Sequence, residues 1–294
     1  MKSSLQPLAR RSFSMGLLSR STPPAKSSPN TVKAAAWAVY DSTLGSFLLG
    51  KNEYKPREIA SLTKVMTLFV ALRLVKRYQQ DLDEVVTVSA EAGRIGGTSA
   101  GLRPGEALSV ADLLFGLMLP SGNDAAVCLA EHFGRILSEH KHIRSRHAVD
   151  VFVGEMNRLA GMMRLPHTKF SNPHGMSTSL NLSTPQDLCR LASIAMQNSV
   201  FKVIVRTQTY HCQVLQANGY QYRRAKWTNT NELLTRGFSG VKTGHTPKAG
   251  PCLCASFSRH GRELVVVLLN SPSRVQRWAD AQALVDWALR GRLI

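Results

Sequence analysis

The sequence predicts an α+β fold: an antiparallel sheet flanked by helices, with a helical subdomain in the middle of the chain. Three observations lead there. Strand-like runs lie near both ends of the sequence, the segment between them carries apolar residues at helical spacing, and short turn sequences join consecutive strand runs. The chain has 294 residues, 44% of them hydrophobic, which is ample for a substantial core and leaves room for one large domain plus a short appendage.

The first strand pair is Ala34 to Tyr40 and Ser46 to Leu49, separated by the turn Asp41-Ser42-Thr43-Leu44-Gly45. From Ile59 to about Lys76 a helix follows, with Leu62, Val65, Met66, Phe69, Val70 and Leu74 as its buried stripe. Ser109 caps a second helical run that ends at Pro120, and Asn123 opens a third, so Ser121-Gly122 occupies an interhelical turn. Ser138 to His147 is polar and basic and reads as a solvated surface excursion before a helix over Val151 to Met163. Thr184-Pro185 supplies an N-cap with proline in the first turn of a helix that runs through Met196. Strand-like runs then follow at Val203 to Val205, Thr207 to Leu215, Gly240 to Thr243, Pro251 to Phe257 and Glu263 to Asn270. Arg259-His260-Gly261 links the last two, and Arg274 to Leu289 closes the chain as an amphipathic helix. There is no internal repeat.

The first acidic residue is Asp41, whereas Lys2, Arg10, Arg11, Arg20, Lys26 and Lys33 precede it. An acid-free start rich in Arg and Ser fits an organellar transit peptide, mitochondrial or plastid, and its apolar centre at Met15 to Leu18 is short for a secretory signal. The expected division is therefore a leader or disordered segment over residues 1–30 and one catalytic domain over residues 31–294. An extracytoplasmic bacterial location is the alternative. Without the first 30 residues the chain still holds 32 basic against 19 acidic residues. That charge favours anionic partners but names none, and no nucleic-acid-binding motif accompanies it. The longest apolar run, Leu264 to Leu269, is of strand length and far short of a membrane helix. Five cysteines cannot all pair within one chain. Cys252 and Cys254 share one face of a strand and read as small buried residues, and no spacing of Cys or His supports zinc, so no metal and no cofactor is expected.

Three short patterns could carry chemistry. Ser61-Leu62-Thr63-Lys64 places a hydroxyl and an amine one helical turn apart, and a desolvated lysine can take a serine proton. The pattern is common, and Ser138 to Lys141 and Ser239 to Lys242 match it too. Ser121-Gly122-Asn123 puts a proton-relaying hydroxyl and an amide on the interhelical turn. Lys242-Thr243-Gly244 is the one Lys-Ser/Thr-Gly tripeptide in the sequence. It lies in a strand, where a cation and a hydroxyl can hold a carboxylate and a glycine lets an extended substrate lie along the edge.

In this order, SxxK, SxN and KTG form the pattern of penicillin-recognising serine enzymes. Together with Gly96-Gly97-Thr98-Ser99, Leu119 to Ala125, Phe170-Ser171-Asn172-Pro173-His174-Gly175 and Val241 to Thr246, the chain resembles the D-alanyl-D-alanine carboxypeptidases of the low-molecular-mass penicillin-binding family, from roughly Ala34 to Leu289. The resemblance implies hydrolysis of a terminal D-alanine through an acyl-enzyme at Ser61, with β-lactams as alternative acylating agents. It implies Lys64 as base, Ser121 as proton relay and Asn123 as orienter of the substrate amide. Lys242 and Thr243, with Gly244 between them and His245, would bind the carboxylate, and the backbone N–H groups of Ser61 and His245 would form the oxyanion hole. His174 is expected to be structural. Two departures stand out: the basic segment around Lys141 to His147 reads as an insertion, and Pro251-Cys252 replaces a more polar pair. The β-rich second domain and membrane-binding helix of many relatives are not expected here. The alternatives are an inactive binding or structural protein that kept the fold, and a β-lactamase-like hydrolase, although no Glu-x-x-x-Asn segment follows the second pattern.

Overall fold

The structure, a computed structural model, describes residues 29, 31–144, 147–177, 181–259 and 261–290. The expected leader lies almost wholly outside them. The first hairpin forms as expected, from β1 (Ala36–Asp41) and β2 (Ser46–Lys51). Its turn is closed by Asp41, whose Oδ1 accepts the backbone N–H of Thr43 and Leu44 at 3.0 and 3.1 Å. The short β3 (Arg57–Glu58) leads into a 3-10 turn, Ala60–Leu62, that runs straight into α1 (Thr63–Tyr78). Every residue of the expected stripe, from Leu62 to Leu74, is buried.

The middle of the chain is helical. It comprises β4 (Val85–Thr87), α2 (Ala90–Arg94), β5 (Ala107–Ser109), α3 (Val110–Met118), α4 (Asn123–Lys141) and α5 (Ala148–Met162), then β6 (Leu182–Ser183), α6 (Pro185–Ala195) and α7 (Ser199–Arg206). The capping residues read from sequence do their work: Ser109 accepts from Asp112 N–H at 3.0 Å, and Thr184 from Asp187 N–H at 3.1 Å. Two readings need correction. Ser138 to Lys141 is not loop but the last turn of α4, and the exposed excursion is confined to the residues before α5, of which 145 and 146 lie outside the described set. Val203 to Val205 is not a strand. Its β-branched residues mimic one, yet Asn198 caps a helix by accepting from Phe201 N–H, and burial falls on Phe201, Ile204 and Val205 while Val200 and Val203 face out, the i, i+3, i+4 pattern.

The last third supplies β7 (Thr209–Leu215), β8 (Tyr222–Thr228), a 3-10 turn at Glu232–Arg236, β9 (Phe238–Thr246), β10 (Gly250–Arg259), β11 (Arg262–Leu269) and α8 (Gln276–Arg290). Strand β8 escaped the sequence reading because its buried positions, Ala225 and Trp227, are interleaved with Arg and Lys. The main sheet is antiparallel in the order β2-β1-β11-β10-β9, so strands from the two ends of the chain pair directly, with Ala36 opposite Leu269. One face, with Trp37, Val39, Leu253, Val266 and Leu268, packs on Trp278, Ala281, Leu284 and Val285 of α8. The opposite face, with Ala38, Cys252, Cys254, Val265 and Val267, packs on α1 and the helical middle. Burial on both faces explains the unbroken apolar run Leu264 to Leu269. Helix α8 also holds the strand that starts the sheet, because Asp280 accepts the backbone N–H groups of Lys33 and Ala34 at 3.1 and 2.9 Å. At the other end of the sheet, Arg262 donates twice to Asp41 Oδ2, at 3.0 and 2.7 Å, and once to the Ala288 carbonyl. A second sheet runs β4-β5-β7-β8, and β3 pairs with β6.

Candidate active site

Ser61 sits inside the 3-10 turn and Lys64 at the start of α1, so the turn and the helix together bring the Lys64 ammonium nitrogen to 3.0 Å from Ser61 Oγ. The same nitrogen lies 2.7 Å from Asn123 Oδ1 and 2.7 Å from the His174 carbonyl, groups 59 and 110 residues away along the chain. Lys64 is fully buried, and burial followed by the charge of Lys242 holds its pKa well below that of a free lysine. Asn123 Oδ1 and the His174 carbonyl can only accept, so each takes an N–H of Lys64, and the same nitrogen stays within hydrogen-bond distance of the serine hydroxyl.

Both acceptors are themselves anchored. The Asn172-Pro173-His174-Gly175 turn is closed by Asn172 Oδ1, which accepts from His174 and Gly175 N–H at 3.2 and 2.7 Å, while Thr67 of α1 donates to the Pro173 carbonyl at 2.6 Å. Gly175 has φ +87° and abuts the Ala60 carbonyl, where any Cβ would clash, so only glycine lets this turn reach Ser61's own segment. The imidazole of His174 accepts from Met176 N–H at Nδ1, and burial, then Lys64, push its pKa down to about 3. The ring is therefore neutral and structural, while the backbone oxygen touches the lysine.

Asn123 opens α4. Its Nδ2 donates to the Gly96 carbonyl at 2.8 Å, which leaves one N–H and one oxygen lone pair for a ligand. Ser121 is buried with φ +65°, and its Oγ has no hydrogen-bond partner within the described residues. The segment Gly96-Gly97-Thr98-Ser99 clamps this turn. Thr98 Oγ1 donates to the Ser121 carbonyl at 2.6 Å, Thr98 O accepts from Asn123 N–H, and buried Asp124 accepts from Ser99 Oγ and from the Ala100 and Leu102 N–H groups.

Strand β9 forms the opposite wall. Lys242 is buried, donates to the Thr243 carbonyl at 3.1 Å, and has its pKa lowered to about 7 by burial and then by Arg277. Thr243 Oγ1 lies 2.6 Å from Thr230 Oγ1. Gly244 matters for a closer reason than an open strand edge: a Cβ there would stand 3.1–3.2 Å from Ile59 O, Ala60 Cβ and Ser61 N, so its absence lets β9 lie against the Ser61 turn. His245 pairs with Pro251, and proline has no N–H to give. The pair is thus of the non-hydrogen-bonded kind, and antiparallel alternation turns the His245 N–H and C=O away from β10 toward the free edge of β9. The Pro251 departure noted in the sequence is compatible with that edge.

Ser61, Thr98, Ser121, Thr243, Gly244 and His245 line one cleft of about 420 Å³. Sequence reasoning missed several other lining residues, chiefly Thr230, Glu232, Arg274 and Arg277. Arg277 is buried, donates weakly to the Gly244 and Cys252 carbonyls at 3.4 and 3.3 Å, and stacks on Trp278; burial and then Arg274 lower its pKa to about 10. A signal existed, since Arg277 lies on the apolar stripe of α8 with Ala281, Leu284 and Ala288. Among the described residues no group of three His, Cys, Asp or Glu is placed to hold a metal ion.

A buried lysine against a serine, a hydroxyl-bearing interhelical turn, and a Lys-Thr-Gly strand across one cleft define a serine acyl-transfer enzyme of the penicillin-recognising class. Residues 23–273 match the model of the D-alanyl-D-alanine carboxypeptidase family, and the chain belongs to that family. It is 33% identical over 278 residues to a D-alanyl-D-alanine carboxypeptidase of Streptomyces sp. (strain K15), covering 92% of each chain. It is 30% identical over 273 residues to DacD of Escherichia coli (strain K12), covering 88% of this chain but 64% of that one. The crystal structure of the Streptomyces K15 DD-transpeptidase superposes with a TM-score of 0.82 at 33% identity, covering 90% of this chain and all of that one. The matched span begins within the segment expected to be a leader.

Proposed function

We propose that Ser61 attacks the carbonyl between the last two residues of a peptide ending in D-Ala-D-Ala, releases D-alanine, and passes the acyl group to water. The observation that carries this reading is the Lys64 nitrogen, buried, held by two fixed acceptors and 3.0 Å from Ser61 Oγ. Lys64 takes the hydroxyl proton as the Oγ–carbon bond forms. The oxyanion is stabilised by the N–H groups of Ser61 and His245, the latter turned to the open edge of β9. Ser121, whose buried hydroxyl has no partner among the described residues, passes the proton taken up by Lys64 on to the departing amine. Lys242, Thr243 and Arg277 hold the terminal carboxylate. A β-lactam presents the same carbonyl and carboxylate, so it acylates Ser61 in the same cleft.

The test separates the two lysines. In wild type, amidation of the terminal carboxylate is expected to lower acylation roughly 10- to 150-fold, the equivalent of a charge-assisted hydrogen bond of about 1.5–3 kcal/mol. In Lys242→Gln that preference for the acid should shrink to the part that Thr243 and Arg277 still supply. Because Lys242 titrates at about 7, it is charged below that pH and neutral above it, so the wild-type preference for the acid should be larger on the acidic side. Equal losses on amidation in both enzymes, with Lys242→Gln folded, would show that Lys242 does not recognise the carboxylate.

The acid-free start is also read as a removable targeting segment. N-terminal sequencing of the native protein is expected to find a start downstream of the Arg-rich stretch, and a reporter fused to residues 1–30 should enter an organelle. A chain starting at Met1 or Lys2 would count against cleavage, and secretion of the reporter would favour the extracytoplasmic alternative.

A further inference from the structure

We infer that Glu232 selects the residue the enzyme releases, favouring a cationic side chain over an acidic one at the leaving position. The inference rests on the carboxypeptidase reading above and concerns the far wall of the same cleft.

Glu232 is the single carboxylate among the described residues lining the cleft, where its neighbours are hydroxyls, an amide and cations. Its side chain is exposed and makes no ion pair among the described residues. Its backbone, in contrast, is fixed on both sides. Asn229 Nδ2 donates to the Val205 and Thr207 carbonyls, and its Oδ1 accepts from Asn231 N–H at 3.0 Å. Thr230 donates its N–H to the Leu119 carbonyl beside Ser121's turn, and its hydroxyl meets Thr243 at 2.6 Å. Asn231 then caps the 3-10 turn by accepting from Leu233 N–H, and Leu233 is fully buried. The segment 229–233 is thus a rigid strut from the Ser121 turn to the Lys-Thr-Gly strand, and it carries Glu232 into the cleft next to the carboxylate subsite.

Electrostatics give the sign. Glu232 lies close enough to Arg277 to support its charge against burial, whereas Arg274 opposes it. When the substrate carboxylate sits on Thr243 and Arg277, it neutralises the cation whose charge Glu232 otherwise supports. The carboxylate and the side chain of the leaving residue share one α-carbon, so that side chain emerges beside the strut. A D-alanine methyl is indifferent to Glu232, an ammonium is attracted, and a second carboxylate is repelled. An exposed ion pair changes a rate by up to about fivefold, and attraction replaced by repulsion gives about tenfold between the two.

The experiment compares peptides with a common acyl part that end in D-Ala-D-Lys, D-Ala-D-Glu or D-Ala-D-Ala, assayed by release of the last residue on wild type, Glu232→Gln and Glu232→Lys. Each variant is normalised to its own rate on the D-Ala-D-Ala peptide. The kcat/KM ratio of D-Lys to D-Glu release is expected to be about tenfold larger in wild type than in Glu232→Gln and to fall further in Glu232→Lys, with the change carried mainly by KM. The same ratio in all three enzymes would overturn the role of Glu232. Penicillin labelling of wild type separates the two readings: labelling with unmoved ratios removes the Glu232 inference alone, whereas neither labelling nor release of any terminal residue removes the carboxypeptidase reading beneath it.

Discussion

Ser61→Ala is expected to abolish acylation by penicillin and release of D-alanine, with a loss of at least about 10⁴-fold, because Ser61 carries the cleft hydroxyl that lies against the Lys64 amine. Intact-mass measurement reads the result directly: wild type gains the mass of one antibiotic, mapped to the Ser61 peptide, and the variant gains none. The substitution deletes one oxygen at a half-buried position, so far-ultraviolet circular dichroism should be unchanged. A stable adduct on the alanine variant, or an adduct mapped elsewhere on wild type, would remove Ser61 from the nucleophile's place.

The second large effect is that of the base. Lys64→Met keeps the length of the side chain and removes the lone pair, so acylation should fall about 100- to 10,000-fold while the serine remains. The pH profile supplies the sharper reading. A protonated amine cannot take the serine proton, so the wild-type rate should fall about tenfold per pH unit below the pKa of Lys64. Burial and Lys242 both lower that pKa, so the falling limb lies well below the titration range of a free lysine. Lys64→Met should lose the limb altogether. A residual rate with an unchanged acidic limb would assign the base to another group. The variant strands the Asn123 and His174 oxygens, so its folding is checked separately by thermal melting.

What was legible in the sequence was local. Ser61 and Lys64 are one helical turn apart, and Lys242-Thr243-Gly244 is continuous, so spacing alone places their groups together. The caps at Ser109 and Thr184 were readable for the same reason. What failed was long-range or lay in the backbone. The His174 carbonyl that holds Lys64 has no side-chain signature; only the turn-forming Asn172 and Gly175 betray it. Thr98 and Thr230 act through single hydroxyls from distant loops, and Arg277 reaches the cleft because α8 packs on β10 and β11. Strand β8 and helix α7 were missed because charged residues on one and β-branched residues on the other outweighed periodicity.

Pairing of β1 with β11 sets a timetable for biosynthesis. Strand β1 lies inside the sheet, between β2 and β11, and the partner of its first residue is made some 230 residues later, as the register of Ala36 with Leu269 requires. Until then β1 offers an unpaired edge to any neighbouring chain, the kind of edge that invites aggregation and chaperone holding. Helix α8, which clamps Lys33 and Ala34 through Asp280 and carries Arg277 to the cleft, emerges later still. Catalytic competence and completion of the sheet therefore coincide, and a nascent chain arrested before β11 should be blind to penicillin even though Ser61, Lys64 and Ser121 have long been synthesised.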